Sequence, residues 1–407
     1  METLRLNFNY KHLIRFLTLF GCIFLLPLTG IAQITKVWAL GDGEKVFRDD
    51  LNHPDNKKNY TWDGKTIKLK GLYNEVLAFQ VIVQIGSDSV KGIELSVDAP
   101  VHKLSGNSIG AATGNAIKYG SAGAIEIFTE HYLHVLDSAY TRPNWFYGSR
   151  ASAPRKMTGW IPDALIPSDA KAGRGGFPLD IGPAQNQGFW VDISLPRDTK
   201  AFLPGTYAGK VNVLQNGKLI KQIPLELTLL ANYLPEENRT NIWLYAGGIY
   251  SYYPEMSHNQ VDDMLKFEGH RHRIDIPGGF GINAPFKHEL MEKYKPYLGG
   301  SAFTPANGYF GSGEGVGEKI FPIGMYGSPV MGQTKEDVQK QSDLWVSWFR
   351  KNAPSTKYFW YMTDEPPKSK YPWVFERGEW INNNPGPGKS LPLFTTTHFQ
   401  PDLAGII

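Results

Sequence analysis

Apolar and polar residues alternate in short runs from residue 33 to about residue 231. Residues 65–70, 93–97, 124–128, 189–195, 209–214 and 223–229 each place apolar side chains at alternate positions, as strands with one buried face require. Residues 76–84 are apolar almost throughout, which predicts a strand partly buried on both faces. Asn216-Gly217 separates two of the runs, and both residues tolerate the positive φ of a tight hairpin. The pattern predicts an antiparallel β-sandwich. Residues 140–186 are rich in Gly and Pro with little periodicity and are expected to form a long ordered excursion from it.

Beyond Pro235-Glu-Glu-Asn238 the pattern changes to strands alternating with helices. Strands are expected at 241–245, 274–276, 319–325, 358–362 and 393–396, and helices at 260–268, 288–294 and 334–351. In the last helix Thr334 can cap, and Val338, Leu344, Trp345 and Trp348 form an apolar stripe. Continuously apolar strands alternating with helices predict a parallel sheet. The fold class expected is therefore an all-β sandwich followed by an α/β (β/α) TIM-type barrel, with domains over residues 33–235 and 236–407. A full barrel takes roughly 250 residues and eight strands, so about five strands make this one incomplete at its C-terminal end. The expectation is a fragment of a longer protein, with a fold that is itself an incomplete barrel as the alternative.

Residues 1–32 carry an export signal. Arg5, Lys11 and Arg15 precede an uncharged apolar run over 16–28, and Gly30-Ile31-Ala32 supplies small residues for cleavage after Ala32. The run is too short for a comfortable membrane span, so no stable membrane insertion is expected after cleavage; an uncleaved anchor is the alternative. Cys22, the single cysteine, lies inside the signal, leaving the mature chain without disulfide or thiol chemistry. Export without disulfides points to the periplasm or cell surface of a bacterium. The net charge of +3 is spread without long blocks, which argues against a nucleic-acid partner. Aromatic residues make up 13% of the chain, which suits either large β cores or the stacking of sugar rings.

The candidate chemistry lies in Thr363-Asp364-Glu365-Pro366, at the end of the aromatic strand 358–362. In parallel barrels the C-terminal strand ends form the active-site face. Adjacent carboxyl groups repel, and desolvation there raises at least one pKa; a carboxyl kept protonated near neutrality is what a glycosidase uses on its leaving group. Pro366 is expected to hold Glu365 extended, which sends the two side chains to opposite sides. They would then not straddle one glycosidic bond as acid and nucleophile, and a division of labour follows: one carboxyl protonates, the other orients a substrate group. The alternative is that the pair caps a helix or forms a surface ion pair.

The chain resembles glycoside hydrolase family 123, the exo-acting β-N-acetylgalactosaminidases, and its uncharacterised relatives. The resemblance rests on Asn74-Glu-Val-Leu-Ala-Phe-Gln80, Trp160-Ile-Pro-Asp-Ala-Leu-Ile-Pro167, Gln187-Gly-Phe-Trp-Val-Asp-Ile193 with Pro204-Gly-Thr-Tyr-Ala-Gly209, and Tyr361-Met-Thr-Asp-Glu-Pro366, in that order. It implies a sandwich before a (β/α) barrel and hydrolysis of terminal β-linked N-acetylhexosamine from a glycan. It also implies substrate assistance, with Asp364 orienting the 2-acetamido group and Glu365 as general acid/base, and no cofactor. The rivals are a non-catalytic glycan-binding protein and a conventional retaining glycosidase whose nucleophile lies beyond residue 407.

Tyr361 within the motif, and Tyr245, Tyr326 and His398 at or just past predicted strand ends, are substrate-binding candidates, with packing as the alternative for each. His270-Arg-His-Arg273 precedes a strand on the opposite face and is expected to be structural. Gly311-Ser-Gly-Glu-Gly-Val-Gly317 lacks a Gly-Lys-Ser/Thr ending and reads as a flexible loop. No spacing of His with carboxylates suggests a metal site.

Overall fold

The computed structural model describes residues 34–110, 124–136, 158–246, 248–277, 283–398 and 401. The export signal and its cleavage site lie outside the described residues, as does the 140–157 part of the excursion. Among the described residues no helix is long and apolar enough to cross a membrane.

Two five-stranded sheets pack face to face. One has the order β1 (Ile34–Gly41), β3 (Val76–Ile85), β8 (Asn186–Ser194), β5 (Ile125–Val135), β6 (Gly159–Pro167). The other runs β2 (Ile67–Tyr73), β10 (Lys218–Tyr233), β9 (Gly205–Gln215), β4 (Val90–His102), β7 (Leu179–Ile181). Alternate residues point inward: Phe79, Val81, Val83, Phe189, Val191 and Ile193 from the first sheet meet Ile93, Leu95, Val211, Val213, Leu225 and Leu227 from the second, all buried. The hairpin at Asn216-Gly217 has φ of 50° and 72° at its two central residues, the primed geometry that suits strand twist.

Two features depart from the expected antiparallel sandwich. β2 pairs β10 in parallel, because the chain leaves β2 through Asn74 and Glu75 straight into the other sheet and makes no hairpin with a neighbour in its own. The described part of the excursion is also not separate from the sandwich. β6 is an edge strand on β5 and β7 an edge strand on β4. Pro162 and Pro167 hide β6 from pattern reading, yet an edge position tolerates their missing N–H groups.

The second half contains α1 (His258–Arg271), α2 (His288–Leu298), β11 (Ile320–Ile323), α3 (Lys335–Asn352), β12 (Lys357–Asp364), α4 (Tyr371–Asn382) and β13 (Leu393–Thr396). β11, β12 and β13 form a parallel sheet in that order. Thr334 caps α3 by accepting from the Asp337 N–H at 3.1 Å, and Val338, Trp345, Val346, Trp348 and Phe349 bury its inner face. The structure shows a curled parallel sheet where a TIM-type barrel was expected. The strands expected at 241–245 and 274–276 meet only at a single parallel bridge, Trp243 to Asp275. The physical reason lies in Asp275, whose carboxylate accepts the Lys319 and Ile320 N–H groups at 2.7 and 2.9 Å and so takes the place of a backbone ladder to β11.

Beneath that junction Lys266 and Glu318 form an ion pair at 3.1 Å, with side chains 4% and 3% exposed. Burial, with Glu318 alongside, pushes the Asp275 carboxyl up to about 7. Lys266→Met is expected to destabilise the chain by about 3–5 kcal/mol, because it strands a buried carboxylate beside a second one. Urea unfolding checks this, and a loss below about 1 kcal/mol would show the pair to be energetically idle.

Candidate active site

β12 delivers the carboxylate pair. Its aromatic run is buried from Trp360 to Thr363, and Asp364, its last residue, emerges into solvent. Asp364 lies beside Thr396 of β13 in the parallel register. Pairing runs one residue further: the Glu365 N–H donates to the Thr396 carbonyl at 2.8 Å and lies 3.3 Å from its Oγ1. Pro366 has no N–H to continue the ladder, and the chain turns at Glu365 with φ of 37°.

That turn corrects the expectation that Pro366 holds Glu365 extended. Glu365 occupies the left-handed region, at about 1–3 kcal/mol for a residue with a side chain. Strand alternation ends at Asp364, so it does not send the two side chains to opposite faces. Both side chains are exposed, so the burial expected around the pair is not found.

Asp364 is held by its neighbours. The Tyr361 hydroxyl donates to Asp364 Oδ1 at 2.7 Å, and the Thr396 hydroxyl donates to the same oxygen. Among the described residues Asp364 Oδ2 has no hydrogen-bond partner. Burial, with the Asp364 bond contributing, pushes the Tyr361 phenol up to about 12, so it remains a donor throughout the neutral range. Tyr361 is only 2% exposed; it lies behind Asp364, wedged against Trp243 and Phe394 at ring distances of 6.3 and 5.1 Å.

A wall of tyrosines continues from there. Tyr326 follows β11 and packs on Tyr361 at 5.6 Å, and Tyr245 meets Tyr326 edge-on at 5.3 Å. Tyr326 and Tyr245 are 52% and 39% exposed, so both rings are partly open to solvent. Tyr326 has φ of 52°, a second strained residue at a C-terminal strand end. The next residue, Gly327, has φ of 84°, and a Cβ there would meet the Met362 carbonyl at 3.1 Å; this close approach seats the Tyr326 turn on β12. The structure therefore brings Asp364, Glu365, Tyr361, Tyr326 and Tyr245 to one end of the sheet. His398 is exposed two residues beyond β13 and, among the described residues, makes no hydrogen bond or ring contact with the other five. Thr396 was not singled out in the sequence, where a threonine in an ordinary strand carries no distinguishing signal.

The opposite end of the sheet holds the other sequence candidates. A cavity of about 1080 Å³ lies there between the sandwich and the segment before Asp275, lined in part by Trp190, Asp192, Arg197 and Arg271. None of the six candidate residues lines it. His270 is buried against Phe303 at 3.6 Å, its Nε2 2.9 Å from the Gly313 carbonyl, and burial pushes its imidazole down to about 4. The 311–317 loop, expected to be flexible, is tied in: the Gly313 N–H donates to Glu236 at 2.8 Å, and Ser312 is buried. Among the described residues, no group of three or more His, Cys, Asp or Glu side chains is placed to hold a metal ion.

No family model matches the chain, and no curated protein matches it. Among solved structures, a family 123 glycoside hydrolase from Clostridium perfringens, described for glycolipid glycan hydrolysis, is similar with a TM-score of 0.54 at 14% identity. The match covers 91% of this chain and 65% of that one. At that identity the likeness shows the fold. The CooA pilin subunit of enterotoxigenic Escherichia coli, at a TM-score of 0.20 over 49% of this chain, is too distant to carry an argument.

Proposed function

We propose that this chain is a glycoside hydrolase of the family 123 kind, removing terminal β-linked N-acetylhexosamine, N-acetylgalactosamine foremost, by substrate-assisted retaining catalysis. The sandwich over residues 33–235 carries a partial (β/α) barrel over 236–407, and the chain is exported after loss of residues 1–32. The observation that carries the reading is Asp364. One of its oxygens is engaged by Tyr361 and Thr396 at the C-terminal end of a parallel strand, the other is left for a ligand, and Glu365 stands next to it. The likeness to a family 123 fold supports the same reading.

The chemistry follows from the roles. Asp364 accepts the acetamido N–H of the substrate, and the acetamido oxygen attacks C1. Glu365 gives its proton to the departing glycosidic oxygen, so the C1–O bond breaks as the ring closes to an oxazolinium. Glu365 then takes a proton from water, which opens the oxazolinium at C1, and two inversions leave the β configuration. Tyr245 and Tyr326 would border the sugar, and Tyr361 would act through Asp364.

Saturable release of the phenol from an aryl β-N-acetylgalactosaminide, with β product seen first by proton NMR, is the expected result. Binding of N-acetylgalactosamine without turnover of the glycoside would overturn the reading in favour of a glycan-binding protein.

A further inference from the structure

We propose that Thr396 is the positioning residue for the carboxylate pair, its hydroxyl fixing Asp364 while its backbone carbonyl holds the turn at Glu365. The inference rests on the functional reading above and concerns how the site holds its geometry. Asp364 and Glu365 are consecutive on β12, but what locates them comes from the next strand. The hydroxyl of Thr396 has one proton, and Asp364 Oδ1 receives it. Its lone pairs face the Glu365 N–H at 3.3 Å, while the Thr396 carbonyl accepts the same N–H at 2.8 Å. Tyr361 adds the second donor to Oδ1 and approaches Thr396 Oγ1 at 3.0 Å.

Three consequences follow. Oδ1 already accepts two donors, so Oδ2 is the atom that meets the acetamido N–H. The left-handed turn at Glu365 is locked by the bonds its N–H makes to Thr396, which sets the height of its side chain over the site. A shift of β13 relative to β12 would also move both carboxylates together. Thr395 opposes such a shift, since its hydroxyl donates to the Thr363 carbonyl at 2.6 Å. Positioning groups of this kind contribute to rate without touching substrate, and a misplacement of about 1 Å can lower turnover about 100-fold.

The test is Thr396→Val, which keeps the side-chain volume and the backbone carbonyl but removes the hydroxyl. On an aryl β-N-acetylgalactosaminide, kcat is expected to fall about 10- to 100-fold with KM little changed. The fall should be the same for a dinitrophenyl and a methylumbelliferyl leaving group, because ring closure is what suffers. Thr396→Ser should restore kcat to near wild type, and Thr396→Val in an Asp364→Asn background should lower it no further. If the valine variant does not fold, the contrast of Thr396→Ser with Thr396→Ala carries the same comparison. Wild-type kcat in the valine or alanine variant, or full additivity with Asp364→Asn, would overturn the inference while leaving the glycosidase reading intact. Absence of turnover in the wild-type chain would overturn both.

Discussion

Glu365→Gln is expected to lower kcat/KM for methylumbelliferyl β-N-acetylgalactosaminide by about 1000-fold, within the range that a positioned general acid supplies. For the dinitrophenyl glycoside the same variant should lose less than about tenfold. The difference is the signature of the role. A dinitrophenolate leaves without protonation, so the first step no longer needs the acid, whereas methylumbelliferone does need it. The glutamine retains the shape of the side chain, and the turn at residue 365 is held by backbone N–H bonds to Thr396 that the substitution does not touch. Circular dichroism and the melting temperature should therefore match wild type. Equal losses on both substrates would remove Glu365 from the acid role.

Asp364→Asn is expected to lower kcat/KM about 100- to 1000-fold, the scale of losing one preorganised electrostatic contact to a developing charge. Here the loss should be the same on both leaving groups. In the proposed reaction, positive charge develops on the acetamido nitrogen as its oxygen attacks C1, and the Asp364 carboxylate is the group that would stabilise it. The amide also has the wrong polarity. Tyr361 and Thr396 both donate to Oδ1, so the amide must turn its oxygen to them and offer its NH2 to the acetamido N–H, donor against donor. Unchanged turnover in this variant would show that the pair does not divide its work as described.

Much of this architecture was legible in the residue pattern, for identifiable reasons. Alternation marked most sandwich strands because one face of each lies against the other sheet. The Thr334 cap and the apolar stripe marked α3, and the aromatic run marked β12. Other elements were not legible because their determinants are nonlocal. α4 carries Tyr371, Trp373, Val374, Phe375, Trp380 and Ile381 around much of its circumference, with Pro372 in its first turn and Gly378 inside, so it shows little helical periodicity. The strand expected at 274–276 is reduced to a bridge because the Asp275 side chain captures two backbone N–H groups of the next strand. β6 hid behind its prolines.

The site divides in the same way. Asp-Glu-Pro at a strand end could be found by position, because strand ends in parallel sheets gather functional groups. The left-handed turn of Glu365 and the grip of Thr396 on Asp364 could not. The threonine stands 32 residues along the chain from Asp364, and only the register of β12 with β13 brings them together. Tyr361 was found as part of a motif but proves to stand behind the carboxylate, since the β12 alternation turns it inward.

The central claim, that the substrate's own acetamido group is the nucleophile, is tested most directly by comparing kcat/KM for two aryl β-galactosides that differ only at C2, one with an acetamido group and one with a hydroxyl. Intramolecular attack is worth many orders of magnitude in effective concentration, and the account predicts a preference for the acetamido substrate of at least about 1000-fold. Comparable rates on the two substrates would contradict it and point to a carboxylate nucleophile.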